Sequence, residues 1–575
     1  MSDDRRQQVV DGRTTLGIEL GSTRIKACLV DEGLTPIAAG SYEWENEFVD
    51  GRWTYSLEAV ETGLRAAYAA LVADVEAQYD VRPSTYRAVG VSAMMHGYLA
   101  FDASDELLVP FRTWRNTSTG PAAERLSEAL GFNIPLRWSI AHLYQAVLDD
   151  EPHVPEIASV TTLAGYVHRR LTGRNVLGVG DASGVFPIEG GPVDSGPGDP
   201  GSKDFDHAML ATAQDLIGVP DLRALLPDVL VAGEDAGALT ADGAAWLDPT
   251  GTLEPGAPLC APEGDAGTGM VATNAVAPRT GNVSVGTSIF AMVVLEHPLA
   301  TAHEELDVVT TPAGDAVAMV HCNNGASEIA SWARVFGRFA EASSARTGGT
   351  PPDIDSVYAT LLAEAEDADP DAGGLLSFNY LAGEPVTHVE DGRPLLLRTP
   401  DARFTLGNLV RSEVHGAFAT LAIGMDVLHG EQVQVDRMTA HGGLFRTPGT
   451  PQRLLAAALR VPIALEETAG EGGAWGIAVL ASYLEHTDQQ LADYLSDTVF
   501  GGDAVHVVDP EPSDVDGFQT YLARYRAALP VQDVAAAATR TVATTAAATR
   551  PSATTHPAEQ TDGADPRLQA EEVTR

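Results

Sequence analysis

Two short stretches, far apart in the chain, share a pattern suited to phosphate. Ile18-Glu19-Leu20-Gly21-Ser22-Thr23 and Val283-Ser284-Val285-Gly286-Thr287-Ser288 each set a glycine after an apolar strand, followed by two small hydroxyl residues. Glycine lets the backbone approach a ligand closely, and successive N–H groups with neighbouring hydroxyls can hold phosphate oxygens. One such turn is ordinary; two turns facing each other could grip a nucleotide from both sides. Glu19, two residues before the first turn, could hold Mg²⁺ through waters. Pro262-Glu263-Gly264-Asp265-Ala266-Gly267-Thr268 precedes the second turn and places Asp265 at a loop-to-helix junction. A carboxylate there could orient a hydroxyl and accept its proton. It would serve equally as a helix cap, and Glu263 is a competing acid two residues away. His441-Gly442-Gly443-Leu444-Phe445-Arg446-Thr447 lies between a strand and a helix, where the glycines let a flat ring lie on the backbone.

Other chemistries are excluded. No GxxxxGK[ST] occurs, so this is not a P-loop protein, and no spaced His/Cys cluster suggests zinc. Cys28, Cys260 and Cys322 are dispersed and odd in number, which argues against a disulfide framework and points to a reducing cytoplasm. With 36 basic and 80 acidic residues the net charge is −44, so nucleic acid would be repelled. An anionic substrate therefore needs local help from backbone N–H groups or a metal. No run reaches the roughly 18 apolar residues of a membrane span. The opening MSDDRRQQVVDG has no apolar region of a signal peptide.

The elements that must position these residues alternate along the chain. Thr15–Leu20 and Ile25–Asp31 read as a hairpin, 36–44 as a third strand, and Ala88–Ala93 as another. Between them Leu57, Val60, Leu64, Tyr68, Leu71 and Val75 recur at helical spacing behind Ser56, a suitable N-cap. After the second phosphate-type turn come a strand at 289–295, a helix at 411–428 and a strand at 433–440. The same order twice predicts a duplicated α/β fold enclosing a cleft. The predicted division is a flexible N-terminus at 1–13, a first domain at 14–277, a second at 278–527, and a low-complexity disordered tail at 528–575. Residues 190–201, rich in Gly and Pro, read as a surface loop.

Taken in order, these motifs resemble the FGGY carbohydrate kinases, within the actin-like, ribonuclease-H-like ATPase superfamily. The likeness spans about residues 14–505. Glu19 to Lys26 resembles the first phosphate motif and Ser92-Ala93-Met94-Met95-His96-Gly97 the sugar-contacting segment. Tyr166 to Gly173 with Asp181-Ala182-Ser183-Gly184 resembles the family's "Y…LTG…DAS" stretch. Gly264-Asp265 resembles the catalytic base motif, Gly286-Thr287-Ser288 the second phosphate motif, and Gly442 to Gln452 the adenosine motif. The resemblance implies two duplicated ribonuclease-H-like domains closing over sugar and ATP, with Asp265 as base. Met95, His96, Trp114 and Asn116 would line the sugar. Gly21, Ser22, Thr23, Gly286, Thr287, Ser288, Gly442, Gly443, Phe445 and Thr447 would line ATP, and Glu19 with Asp265 would attend Mg²⁺. His96 and Trp114 could instead be packing residues. A xylulokinase-like ketopentose kinase is the expected activity. A ribulokinase or other ketose or polyol kinase, or a non-kinase, sugar-responsive ATPase, are the alternatives, and a homodimer is expected. Three departures stand out: Glu19 where the family usually has Asp, Trp114-Arg115-Asn116-Thr117 in the sugar segment, and Gly383-Glu384-Pro385 where Gly-Glu-Arg is common.

Overall fold

The computed structural model describes residues 2–189, 203–447, 449–465, 472–501 and 506–549. The loop expected at 190–201 lies outside the described residues. Two sheets organise the chain. In the first, the strands run in the order Glu263–Gly264, Ala88–Ala93, Thr15–Leu20, Arg24–Val30, Pro36–Glu43. The first three are parallel and the last two antiparallel. The second sheet repeats this plan with Ile463–Leu465, Arg437–His441, Thr280–Val285, Ile289–Val294 and Ala316–Cys322, and adds an edge strand at each end. The expected duplication is present, with two lobes of one α/β plan.

Local sequence explains the main helices. Leu57–Tyr79 begins where the Ser56 hydroxyl accepts a bond from the Ala59 amide at 3.1 Å, and ends at Asp80 in the left-handed region. Its apolar stripe, including Leu64, Tyr68, Leu71 and Val75, is buried against the first sheet. The counterpart in the second lobe, Leu406–Gly430, is longer than the expected 411–428 because Thr405 caps it one turn earlier. It is buried along almost its whole length, as its scarcity of charge requires.

The two lobes are not two consecutive pieces of chain. Helix Gly472–Tyr483 follows the second lobe's strands yet lies on the first sheet, against Thr15–Leu20 and Ala88–Ala93. A side chain at Gly17 would overlap the Ala474 carbonyl, so only glycine admits this helix so close to the sheet. Gly476 in turn abuts the Thr268 carbonyl, where helix Asp265–Ala272 crosses it. This helix of the predicted second domain at 278–527 thus packs on the first sheet, where glycines flatten the surface that receives it. One core cluster consequently joins Met270 and Val271, Ala474 and Ile477, and Met292, Val294 and Val317 of the second sheet.

Parts of the expected flexible N-terminus and disordered tail are helical. Ser2–Val10 is a helix that buries Val9, and the Gln8 side chain accepts from the Glu32 amide at 3.0 Å. Val531–Thr549 is a helix as well. Alanine favours helix intrinsically, and the buried Gln532 clamps Arg393, accepting from its amide at 2.7 Å and donating to its carbonyl at 3.0 Å. Residues 550–575 lie outside the described residues. No helix among the described residues is long and apolar enough to cross a membrane.

The long second-lobe helix carries one carboxyl group into the interior. Glu413 is buried, accepts from the Ser377 hydroxyl at 2.9 Å, and is pushed up to about 8 by desolvation. The folded state thus binds a proton that the unfolded chain releases above its ordinary value, and stability is lost as pH rises through this window. Glu413→Gln should therefore raise the melting temperature relative to the parent more at pH 8 than at pH 5, as thermal unfolding at both values would read.

Candidate active site

Strand register assembles the centre. Across the first sheet Lys26, Glu19, Ser92 and Glu263 form one row, because Glu19 pairs with Lys26 on one side and Ser92 on the other, and Ser92 pairs with Glu263. Side chains at paired positions stand on the same face, so three strands bring two acids and one amine together. Asp265 follows Glu263 by two residues and opens the helix Asp265–Ala272. The Thr268 hydroxyl of that helix lies 3.0 Å from that of Ser92, tying helix to row.

The two acids at the junction have different circumstances. Glu263 is 1% exposed and accepts from the amides of Gly180 and Asp181 at 3.3 and 2.9 Å. It is pushed up to about 8 by burial and by neighbouring Asp181. Its oxygens are committed to backbone, so the competing acid of the sequence reading is a structural brace. Asp181 is itself buried, accepts from the Thr162 hydroxyl at 2.6 Å, and is raised to about 7 by burial. The 162–184 stretch therefore holds the base motif from behind. Asp265 accepts from the Met95 amide at 3.1 Å, and burial raises it above the usual aspartate range. Glu19 is pushed up to about 7 by desolvation, opposed by Lys26 and reinforced by Asp265.

The Met95–Asp265 bond joins the acid to the sugar-type motif. The Met95 side chain lies against Gly264, and His96 follows with a φ of 69°, an uncommon conformation for a non-glycine residue. The His96 ring is buried, 3.4 Å from the Gly184 carbonyl, and held neutral by burial and by Arg137. Trp114 is half-buried and donates its indole N–H to the Ser22 hydroxyl at 3.3 Å, beside the first turn. Asn116 is corrected. Its amide oxygen accepts from the Trp53 amide at 2.9 Å, and its nitrogen donates to the Trp53 and Thr113 carbonyls at 2.8 and 3.0 Å. With the side chain 6% exposed and these groups bonded to backbone, it is a clamp between loops.

The phosphate-type turns are built alike but differ in length. Gly21-Ser22-Thr23 is closed by a Gly21 to Arg24 bond at 3.0 Å, the second by a Gly286 to Ser288 bond at 2.9 Å, one residue tighter. The carbonyls of Gly286 and Thr287 accept from Ala326 and Gly325 at 2.8 and 2.7 Å, while Gly286 and Thr287 themselves are exposed. Gly442 has a φ of 116°, and a side chain there would overlap the Val285 carbonyl, so the third motif sits directly on the second turn. Gly443 is exposed and Thr447 half-buried. Phe445 is corrected, for its ring belongs to the second lobe's core rather than to a ligand surface. Sequence reading missed the brace beneath the second turn. Buried Glu384 accepts from the amides of Asn323 and Asn324 at 3.3 and 3.2 Å and from the Asn324 side chain at 2.9 Å. The signal was Gly383-Glu384, noticed only for its missing arginine.

Residues 14–255 match the N-terminal domain, and residues 281–485 the C-terminal domain, of the FGGY family of carbohydrate kinases. The chain belongs to this family. It is an FGGY carbohydrate kinase, an enzyme that uses ATP to phosphorylate a sugar. The xylulose kinase of Escherichia coli (strain K12) is 23% identical over 497 residues, covering 84% of this chain and 92% of that protein. A xylulose kinase structure from Brucella ovis superposes with a TM-score of 0.71 at 21% identity, covering 90% of this chain and 99% of that one. A gluconate kinase structure from Lactobacillus acidophilus superposes with a TM-score of 0.69 at 16% identity, covering 89% and 96%.

The donor set of this FGGY kinase fits a magnesium ion. Among the described residues no group of three His, Cys, Asp or Glu side chains is arranged to hold a metal directly. Two adjacent carboxylates, Glu19 and Asp265, suit an ion that keeps most of its waters and takes its other oxygens from substrate phosphate. Asn116→Ala should behave as a structural lesion: each lost backbone bond costs about 1 kcal/mol, so the melting temperature falls by several degrees. The KM for the sugar should stay within about twofold of the parent, as steady-state kinetics would show.

Proposed function

We propose that this FGGY kinase transfers the γ-phosphoryl group of ATP to a terminal hydroxyl of an open-chain ketopentose, with xylulose the leading acceptor. The observation that carries this reading is the bond from the Met95 amide to Asp265, which makes the acid and the His96 turn one unit. A hydroxyl held at that turn meets a carboxylate whose affinity for protons burial has already raised. Asp265 takes the proton as the oxygen attacks the γ-phosphorus in line. Met95 and His96 form the sugar wall, with His96 neutral and able both to donate and to accept. The exposed residues Gly286, Thr287, Gly442 and Gly443, with Gly21, Ser22 and Thr23, cradle the nucleotide. Glu19 and Asp265 are the residues that would hold Mg²⁺, largely through waters, and the ion supplies neutralising charge to the phosphoryl oxygens.

The preference for a ketopentose rests on the xylulose kinase named among the relatives. A gluconate kinase has the same fold, so the acceptor is read from the wall residues rather than from the sheets. The deciding assay couples ADP release to a panel of ketopentoses, ketohexoses, polyols and sugar acids, with product masses measured. Xylulose-dependent ADP release with a mass gain of one phosphoryl group is expected, and ADP release without a phosphorylated product would overturn the reading. Asp265→Asn should lower kcat by about 10²–10⁴-fold with the KM for ATP nearly unchanged. Retained transfer in that variant would place the base elsewhere.

A further inference from the structure

Behind the His96 turn, residues 137–139 contact it directly. The Gly97 amide donates to the Arg137 carbonyl at 3.5 Å, and the Ser139 hydroxyl donates to the Gly97 carbonyl. The Trp138 ring stacks 6.4 Å from His96 at an interplanar angle of 21°. Residues 137–139 are thus the backing of the sugar wall. The Arg137 guanidinium, however, leaves the first lobe. It forms an ion pair with Asp307, which lies on the second lobe's edge strand Asp307–Thr310.

The pair is built into the structure. Its side chains are 17% and 11% exposed, and the Asn133 amide adds bonds to the Leu306 carbonyl at 2.9 Å and to Asp307 at 3.4 Å. Asp307 pairs in register with Met319, on the strand that carries His321. The His321 ring stacks flat on Phe290, 4.3 Å away at 6°, and Arg137 bears on the charge state of both His321 and His96. Arg137 therefore stands between the sugar turn of one lobe and an aromatic pair of the other. Three residues on, the Thr310 amide donates to the Ser183 hydroxyl at 3.0 Å and its hydroxyl to the Val179 carbonyl at 2.9 Å. This neutral contact is placed to act as a pivot beside the charged one.

We propose that Arg137 is a positioning residue for the sugar, and that its ion pair with Asp307 is the latch through which lobe closure sets the His96 turn. The proposal rests on the kinase reading above. Its physical logic is that an ion pair suits a contact made and broken in each turnover. A pair shielded from water is worth little net free energy, because desolvation offsets attraction, so parting both partners into water costs little. Held closed, the pair anchors the Arg137 side chain and so fixes its backbone carbonyl against the Gly97 amide with the directionality that apolar packing lacks.

The test uses the full-length enzyme, the acceptor sugar that the parent phosphorylates, and the variants Asp307→Asn, Arg137→Gln and their combination. Asp307 belongs to the other lobe and lies outside the proposed sugar wall, so a merely local role predicts no change in sugar affinity on its replacement. The latch predicts that Asp307→Asn raises the KM for sugar about tenfold with the KM for ATP within about twofold. Arg137→Gln should do the same, and the double variant should be no worse than the worse single one. A sugar KM within about twofold of the parent in Asp307→Asn, or additive effects in the double variant, would overturn the proposal. Should a neutral variant fold poorly, Asp307→Glu keeps the charge and should restore part of the sugar affinity; no restoration also counts against the latch. A second readout needs no sugar. Small-angle scattering of the ligand-free protein should show a larger radius of gyration for Asp307→Asn than for the parent, and an unchanged radius overturns the latch. If the parent phosphorylates none of the panel, the kinase assignment to this site fails while the scattering still decides whether the pair joins the lobes.

Discussion

Everything at the centre of this enzyme answers to one electrostatic constraint: four carboxyl groups, Glu19, Asp181, Glu263 and Asp265, are buried near one another, and Lys26 opposes only Glu19. Burial alone drives each upward in proton affinity. The structure separates their fates by what it gives each one. Glu263 receives backbone amides and Asp181 a threonine hydroxyl, so both become fixed parts of the frame. Asp265 receives the Met95 amide and Glu19 is opposed by Lys26, and these are the two acids proposed to act on substrate.

The crossing of helices Asp265–Ala272 and Gly472–Tyr483 follows from the same need. A carboxylate at a helix N-terminus is stabilised by the helix dipole, yet the helix must be held still for the acid to be placed. Gly17 and Gly476 let the two helices and the first sheet approach at backbone distance, and the shared core locks the arrangement. The second turn is held in the same manner from below, by Glu384 and the two asparagines. In a chain of net charge −44, the proposed phosphate site would rely on braced loops rather than on a basic surface.

Much of this was legible in the residues. The strand–glycine–hydroxyl repeat exposed the duplication because a hairpin turn is written locally, in a few adjacent residues. The Ser56 cap and the 57–79 stripe were readable for the same reason. The acid at 265 and the turn at 95–96 could be singled out by type, but their bond could not, since it joins residues 170 positions apart.

What the sequence by itself determined was the set of elements and the presence of the phosphate turns, because short-range sterics and periodicity decide those. Only the tertiary structure decided which side chains are free to act. Asn116 is spent on backbone, Phe445 on the core and Glu263 on Gly180 and Asp181, although each is of a suitable type in a suitable motif. It also decided that helix Gly472–Tyr483 packs on the first sheet, and that Val531–Thr549 is a helix tied to Arg393 through Gln532. The physical reason is common to all of these. A side chain's role depends on the desolvation and hydrogen-bond partners it meets in the fold, and those come from segments that no local pattern identifies.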